Sequence, residues 1–208
     1  GDIKWITPVG ITWLSFIFKI FPAALMLHSE RYFIVLSALL LQIGQVLDSM
    51  DGNLARYRNE TTLSGGFLDR ILDGIGFVFV MSSFSWFTYQ KVNEPYYILL
   101  GPMVAAFYLV ICYSYWTTAY QEQKYLGKTN KVRPGGNVKN IKHISTLKYV
   151  FNGQRKILSF KQADFYFWIG FGVILDLSKY IIWILFIALL ARVLERIKSR
   201  YLYLKLLD

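Results

Sequence analysis

Six stretches of mostly apolar residues follow one another along the chain, and shorter polar segments separate them. A helix needs about 20 such residues to cross the hydrocarbon core of a bilayer. The pattern therefore predicts six transmembrane helices, over residues 7–27, 32–56, 65–88, 96–119, 158–177 and 179–200. The fifth stretch has the weakest pattern, because Lys161, Gln162 and Asp164 lie near its start.

The composition agrees with a membrane protein and excludes other classes. Of the 208 residues, 55% are hydrophobic and only 17% are charged, and the mean hydropathy is +0.37. Soluble domains are only about 45–50% apolar. Cys112 is the single cysteine, which excludes an internal disulfide and a zinc site built on several thiolates. We predict an all-α integral membrane protein in which residues 1–208 form one six-span domain.

The distribution of basic residues predicts the orientation. Most of the 23 Lys and Arg residues fall in segments that six spans place on one side, and cytoplasmic segments carry such an excess. Both termini are therefore expected in the cytoplasm. Residues 121–161 hold ten basic residues against one acid, Glu122, and are predicted to form a basic cytoplasmic loop. A juxtamembrane cluster of this kind favours anionic lipid headgroups or phosphorylated substrates, so no nucleic-acid partner is expected.

Four aspartates lie where charge is costly. Asp48 and Asp51 fall near the end of the second predicted span, and Asp69 and Asp73 near the start of the third. An ionised aspartate at the centre of a membrane helix costs about 2.5–3.5 kcal/mol. At about 100° per residue, each pair falls on one helix face, and the short turn between the spans makes the helices antiparallel neighbours. We expect one cluster of four carboxylates near the cytoplasmic surface.

Such a cluster predicts a particular kind of metal site. Oxygen ligands without histidine or cysteine favour a hard cation, Mg²⁺ or Mn²⁺. Two such ions would neutralise the four charges and form a two-metal clamp for phosphoryl chemistry. The small residues Gly52, Ala55 and Gly65 lie on the same faces, where they allow either a ligand or a neighbouring helix to approach the backbone closely.

A cation transporter or channel is the alternative function, because acids within the membrane often mark ion paths. A conduction path needs polar residues in both halves of the spans, whereas the four aspartates gather at one end. Outside the cluster, Arg70 is predicted to be a buried charge, and Lys19 is expected to extend its ammonium group to the interface. An enzyme is therefore the favoured interpretation.

The spacing of these residues matches a family pattern. Asp48-Ser-Met-Asp51-Gly52-Asn-Leu-Ala55-Arg56, eight further residues and then Gly65-Gly-Phe-Leu-Asp69-Arg-Ile-Leu-Asp73 resemble the D-x2-D-G-x2-A-R-x8-G-x3-D-x3-D signature of the CDP-alcohol phosphotransferases, also called CDP-alcohol phosphatidyltransferases. All eight fixed residues are present at the family spacing. The resemblance also fits the layout of six spans with cytoplasmic termini.

The resemblance implies transfer of a phosphoalcohol group from a CDP-alcohol to the hydroxyl of a second alcohol, with release of CMP, as in phospholipid biosynthesis. It implies two Mg²⁺ or Mn²⁺ ions as cofactors, a cytoplasmic active site and a homodimer. One of the two alcohols is expected to be a lipid. In the family the lipid belongs to either the donor or the acceptor, and some members join two polar groups.

The same resemblance assigns roles to residues of this chain. Asp48, Asp51 and Asp69 correspond to metal ligands, and Asp73 to a metal ligand that is also the general base on the acceptor hydroxyl. The donor's CDP group is expected to contact these residues: Thr12, Gly52, Ala55, Arg56 and Gly65. The first span departs from the family's T-P-N-x-x-T pattern, because Val9 stands in place of the asparagine. Independently of the resemblance, Arg133 and Arg155 of the basic loop are the candidates for binding a phosphate of the acceptor or the anionic lipid surface, because guanidinium groups match phosphate oxygens. For most of the loop's ten basic residues, a signal for membrane orientation is the favoured interpretation.

Overall fold

The computed structural model describes residues 6–28, 30–127 and 162–207, and from residue 162 to residue 164 only the backbone is described. The described part contains six helices and no strand. The helices are α1 (Pro8–Leu25), α2 (Arg31–Tyr57), α3 (Leu63–Val92), α4 (Tyr96–Leu126), α5 (Gln162–Ile174) and α6 (Ser178–Lys205). The prediction of an all-α membrane protein is confirmed in this architecture.

Local sequence signals explain where the helices begin and end. The side chain of Thr7 accepts a hydrogen bond from the backbone of Gly10 at the start of α1, and Thr62 does the same for Gly65 at the start of α3. Threonine at this position satisfies an amide that the helix itself leaves without a partner. Asn93 ends α3 in the left-handed conformation, which asparagine tolerates better than most residues.

The helices pack as a closed ring. Around the ring, α1 contacts α2, α2 contacts α5, α5 contacts α6, α6 contacts α4, α4 contacts α3, and α3 returns to α1. The interior of the ring is filled by fully buried apolar side chains: Phe77, Val80, Phe84, Val104, Ile169 and Leu185. Some neighbouring helices approach each other very closely. A Cβ added at Gly44 of α2 would lie only 2.9 Å from the carbonyl oxygen of Phe18 in α1. Small residues allow such approaches between membrane helices.

The first four helices, α1 to α4, are long and apolar enough to cross a membrane. The described part of α5 has 13 residues, and α6 has 28 residues, so helix is present where the fifth and sixth spans were predicted. Several helices extend beyond the predicted spans, and the longest extension is that of α4, which continues to Leu126 whereas the predicted span ended at residue 119. The predicted basic loop therefore begins as helix, and its residues 128–161 lie outside the described part of the chain.

Candidate active site

Three carboxylates converge between α2 and α3. Asp48, Asp69 and Asp73 each offer an oxygen atom, and these atoms lie within 4.8 Å of one another. Each of these residues is half-buried. Asp48 lies about ten residues before the end of α2 and Asp73 about ten residues after the start of α3, so both lie roughly 15 Å from the turn along their helices. The antiparallel pairing predicted from the sequence brings them to the same depth.

A lysine from a third helix contacts two of these three carboxylates. Lys19 of α1 is 1% exposed, and its Nζ lies 2.6 Å from Oδ1 of Asp48 and 2.5 Å from Oδ1 of Asp73. The prediction that Lys19 extends to the interface was therefore wrong. Two carboxylates compensate the burial of the ammonium group, which is the condition under which a charge stays in an apolar interior.

Asp51 has a different environment from the other three aspartates. It is 5% exposed, and its Oδ2 accepts a hydrogen bond of 2.7 Å from the hydroxyl of Thr12 in α1. Asp51 lies outside the group of three oxygens and shares a cavity wall with Asp69 instead. The sequence predicted one cluster of four carboxylates, and the structure places three together with the fourth beside them.

The first of two cavities at the site lies between α1, α2 and α3 and has a volume of about 240 Å³. We call it the α1–α2–α3 cavity. The residues that the sequence assigned to the CDP group all line it: Thr12, Gly52, Ala55, Arg56 and Gly65. The guanidinium group of Arg56 is held by a 2.9 Å hydrogen bond to Oδ1 of Asn53. Small residues, among them Gly52, Ala55 and Gly65, share this wall with the charged side chains of Asp51, Arg56 and Asp69.

The second cavity lies between α3, α4 and α6 and has a volume of about 690 Å³. We call it the α3–α4–α6 cavity. Asp73 lines it together with Arg196 and the aromatic residues Tyr108, Tyr115 and Trp116. The two cavities share Asp69 and Arg70 in their walls. Asp69 therefore lies where the two cavities meet, and Asp73 lies in the wall of the second.

Some site residues were misplaced or missed by the sequence analysis. Arg70 was predicted to be buried but is exposed, and its guanidinium carbon lies 4.5 Å from the ring centroid of Trp116. Arg133 and Arg155 lie outside the described residues. Arg196 and Trp116 could not be found from the sequence, because each comes from a helix distant in sequence from the aspartates and matches no motif.

The residues fit a divalent metal ion. Among the described residues, the group with converging ligand atoms contains only aspartates. Carboxylate oxygens are the ligands that Mg²⁺ and Mn²⁺ prefer in proteins. Two of these carboxylates already bind a cation, the ammonium group of Lys19. The group can therefore hold a metal ion.

Helices long enough to span a membrane therefore surround a group of carboxylates that lies beside two cavities. Residues 5–190 match the CDP-alcohol phosphatidyltransferase family, and the chain belongs to this family. The resemblance inferred from residues 48–73 is confirmed, and the transporter alternative is set aside in favour of an enzyme.

A relative with a curated name is the bifunctional IPC transferase and DIPP synthase of Thermococcus kodakarensis. It is 30% identical to this chain over 113 residues, which are 54% of the chain. The same alignment covers only 24% of the relative's own length. The similarity therefore concerns about a quarter of that protein.

Proposed function

We propose that the protein transfers a phosphoalcohol group from a CDP-alcohol to the hydroxyl of a second alcohol and releases CMP. The observation that carries this proposal is the position of Asp69 and Arg70, which belong to the walls of both cavities. Two substrates that react with each other need two binding regions with a common border at the reacting atoms. Family membership supports the general reaction.

The donor's CDP group is assigned to the α1–α2–α3 cavity. Gly52, Ala55 and Gly65 keep the wall free of bulky side chains of their own, and Arg56 supplies a positive charge for the diphosphate. Thr12 also lines this cavity, and its hydroxyl holds Asp51 at 2.7 Å. This assignment places the diphosphate beside Asp51 and Asp69.

The acceptor is assigned to the α3–α4–α6 cavity, because Asp73 lines this cavity and is absent from the described wall of the other. Arg196 and Arg70 bring two positive charges to the same cavity. Guanidinium groups bind phosphate and carboxylate oxygens through two parallel hydrogen bonds. We therefore propose an acceptor alcohol that carries an anionic group, or a lipid acceptor with an anionic headgroup.

In the proposed reaction, the acceptor oxygen forms a bond to the phosphorus that carries the donor's alcohol, and the bond from this phosphorus to CMP breaks. Asp73 accepts the proton of the acceptor hydroxyl as general base. Asp48, Asp51, Asp69 and Asp73 would hold two Mg²⁺ or Mn²⁺ ions, which supply positive charge to the diphosphate and to CMP as it leaves. Arg56 orients the diphosphate in the α1–α2–α3 cavity.

The orientation in the membrane and the assembly are also proposals. The excess of Lys and Arg supports cytoplasmic termini and a cytoplasmic active site, in line with a role in phospholipid biosynthesis. The site lies nearer the end where α2 meets α3, and Lys91 and Asp176 form an ion pair of 3.4 Å at the opposite end. A homodimer is proposed on family membership alone.

The decisive experiment is a substrate panel. The purified protein is incubated with different CDP-alcohols and acceptors, and CMP release is followed with Mg²⁺, with Mn²⁺ and with a chelator. We expect CMP release only with a divalent ion, and only when both a donor and an acceptor are present. Full turnover in the chelator would contradict the metal role, and no CMP release from any pair would contradict the proposed reaction.

A further inference from the structure

The side chain of Lys19 is buried and tightly packed inside the protein. Its aliphatic stem packs against Gly76 of α3, where an added Cβ would lie 3.1 Å from Cδ and 3.3 Å from Cβ of the lysine. The residue is 1% exposed although it carries a charge. A side chain packed along its whole length has no free volume into which it can swing, so the ammonium group is fixed between its partners.

The partners of the ammonium group belong to the proposed metal site. Asp48 and Asp73, whose oxygens lie 2.6 and 2.5 Å from Nζ, are two of the three aspartates with converging ligand atoms. A metal ion bound by Asp48 and Asp73 would lie within a few ångströms of the positively charged ammonium group of Lys19. Two positive unit charges about 4 Å apart repel each other strongly at an effective dielectric constant of about 20. The ammonium group and a metal ion therefore compete for the carboxylates of Asp48 and Asp73.

We propose that Lys19 is a built-in counter-cation that positions Asp48 and Asp73 before metal binds and limits the donor-free protein to one divalent ion. Four ionised aspartates and one ammonium group carry a formal charge of −3. One divalent ion leaves −1, whereas a second would leave +1, so like charges would repel each other within the site. The diphosphate of the donor supplies the missing negative charge, so the second ion enters together with the nucleotide. This inference rests on the proposed metal role of the aspartates.

The test compares the wild type with Lys19→Met, which keeps an unbranched side chain without the charge. Both proteins are freed of metal and titrated with Mn²⁺, and free Mn²⁺ is measured by electron paramagnetic resonance, first alone and then with CDP. We expect the wild type to bind one equivalent alone and two with CDP. Lys19→Met is expected to bind two equivalents without CDP, the second about tenfold or more tighter than in the wild type.

Two further variants control for folding and for loss of any lysine. Lys91→Met removes an exposed lysine whose partner, Asp176, lies at the far end of the molecule, and it should bind Mn²⁺ as the wild type does. Lys19→Gln removes the charge but keeps a hydrogen-bond donor, and it provides the same measurement if the methionine variant does not fold. The melting temperature of the metal-free protein should fall in both Lys19 variants and recover with Mn²⁺.

The outcomes separate this inference from the proposed function. Equal Mn²⁺ stoichiometry and affinity in the wild type and the Lys19 variants would overturn the role of Lys19 and leave the metal site intact. No Mn²⁺ binding by any of the proteins, even with CDP, would overturn the metal role of the aspartates and with it the role of Lys19. A purely structural Lys19 would lower the melting temperature without changing the Mn²⁺ stoichiometry, which also contradicts the proposal.

Discussion

The two cavities that meet at Asp69 have walls of different chemistry. The α1–α2–α3 cavity, of about 240 Å³, is lined largely by small residues such as Gly52, Ala55 and Gly65. The α3–α4–α6 cavity, of about 690 Å³, is lined by large side chains, among them Trp116 and Arg196. The first combines the small residues of the family motif with charged side chains, and the second consists mainly of large apolar and aromatic side chains.

This difference suggests a division of labour. A ligand bound by the residues of the family motif is recognised through features that the members of the family share, as expected for a group common to all their donors. A ligand bound by side chains is recognised through features that change with each substitution. The small cavity therefore suits the CDP group, and the larger one suits the acceptor, which differs between enzymes. Each prediction below acts on one cavity or on the border between them.

The largest effect is expected at the border. Asp69→Asn removes a carboxylate charge from the wall of both cavities and from the group of three converging oxygens. We expect CMP release to fall about a thousandfold, since charge stabilisation at a phosphoryl group is lost. The control is Asp176→Asn, at an exposed turn with φ of 59°, a conformation that asparagine also tolerates. Comparable activity of the two variants would remove Asp69 from the site.

Asp73→Asn should impair transfer to the acceptor and leave binding of the donor nearly unchanged. Because Asp73 lines only the α3–α4–α6 cavity among the described residues, the variant should lose transfer by a hundredfold or more, roughly the contribution of a general base. Binding of CDP, measured by calorimetry with Mn²⁺ present, should stay within a few-fold of the wild type. If CDP binding disappears as well, Asp73 acts chiefly as a metal ligand and the two cavities are not independent.

The aspartates could be predicted from the sequence because their geometry is local. They lie on two consecutive helices joined by a short turn, so helical periodicity alone places their faces together. Lys19 could not be predicted in the same way, since its partners lie 29 and 54 positions further along the chain. A lysine in an apolar stretch is typical of a side chain that reaches the interface, and only the packing of α1 against α2 and α3 shows that it is buried.

The α1–α2–α3 cavity could be predicted and the α3–α4–α6 cavity could not, again because only the first is formed largely by residues close together in the sequence. The α1–α2–α3 cavity contains all the small residues of the motif, which follow one another within residues 52–65. The α3–α4–α6 cavity combines side chains from α4 and α6 that belong to no motif and meet only in the folded ring. The predicted helix positions were sufficient for the order of the helices but did not specify these contacts.

Arg196→Met tests the acceptor cavity. Arg196 is the residue of α6 in this cavity, and loss of its charge should raise the acceptor KM about tenfold, the effect of removing a hydrogen bond to a charged group. The donor KM should stay unchanged. Lys198→Met removes an exposed charge two positions further along α6 and should change neither constant. If Arg196→Met raised the donor KM more than the acceptor KM, the assignment of the two cavities would be reversed.

Gly52→Ala tests the donor cavity with a single methyl group. A Cβ at this position would lie 3.3 Å from Nη1 of Arg56, so the guanidinium group must shift. We expect the donor KM to rise roughly three- to tenfold, because about 1 kcal/mol of a charged hydrogen bond is lost. The matched control is Gly74→Ala in the other cavity, where the Cβ would lie at an ordinary 3.4 Å from Cδ2 of Leu109. Equal donor KM values for both variants would show that Arg56 does not contact the donor.

Trp116→Leu should have the smallest effect and tests how the border is held. The ring of Trp116 lies 4.5 Å from the guanidinium carbon of Arg70, a cation–π geometry worth about 0.5–1 kcal/mol at an exposed site. Loss of the ring frees Arg70 without removing its charge, so the acceptor KM should rise about two- to fivefold. Trp86→Leu, another exposed tryptophan, is the control and should leave both KM values unchanged. An unchanged acceptor KM in Trp116→Leu, together with a raised one in Arg70→Met, would mean that Arg70 reaches the acceptor without support from the aromatic wall.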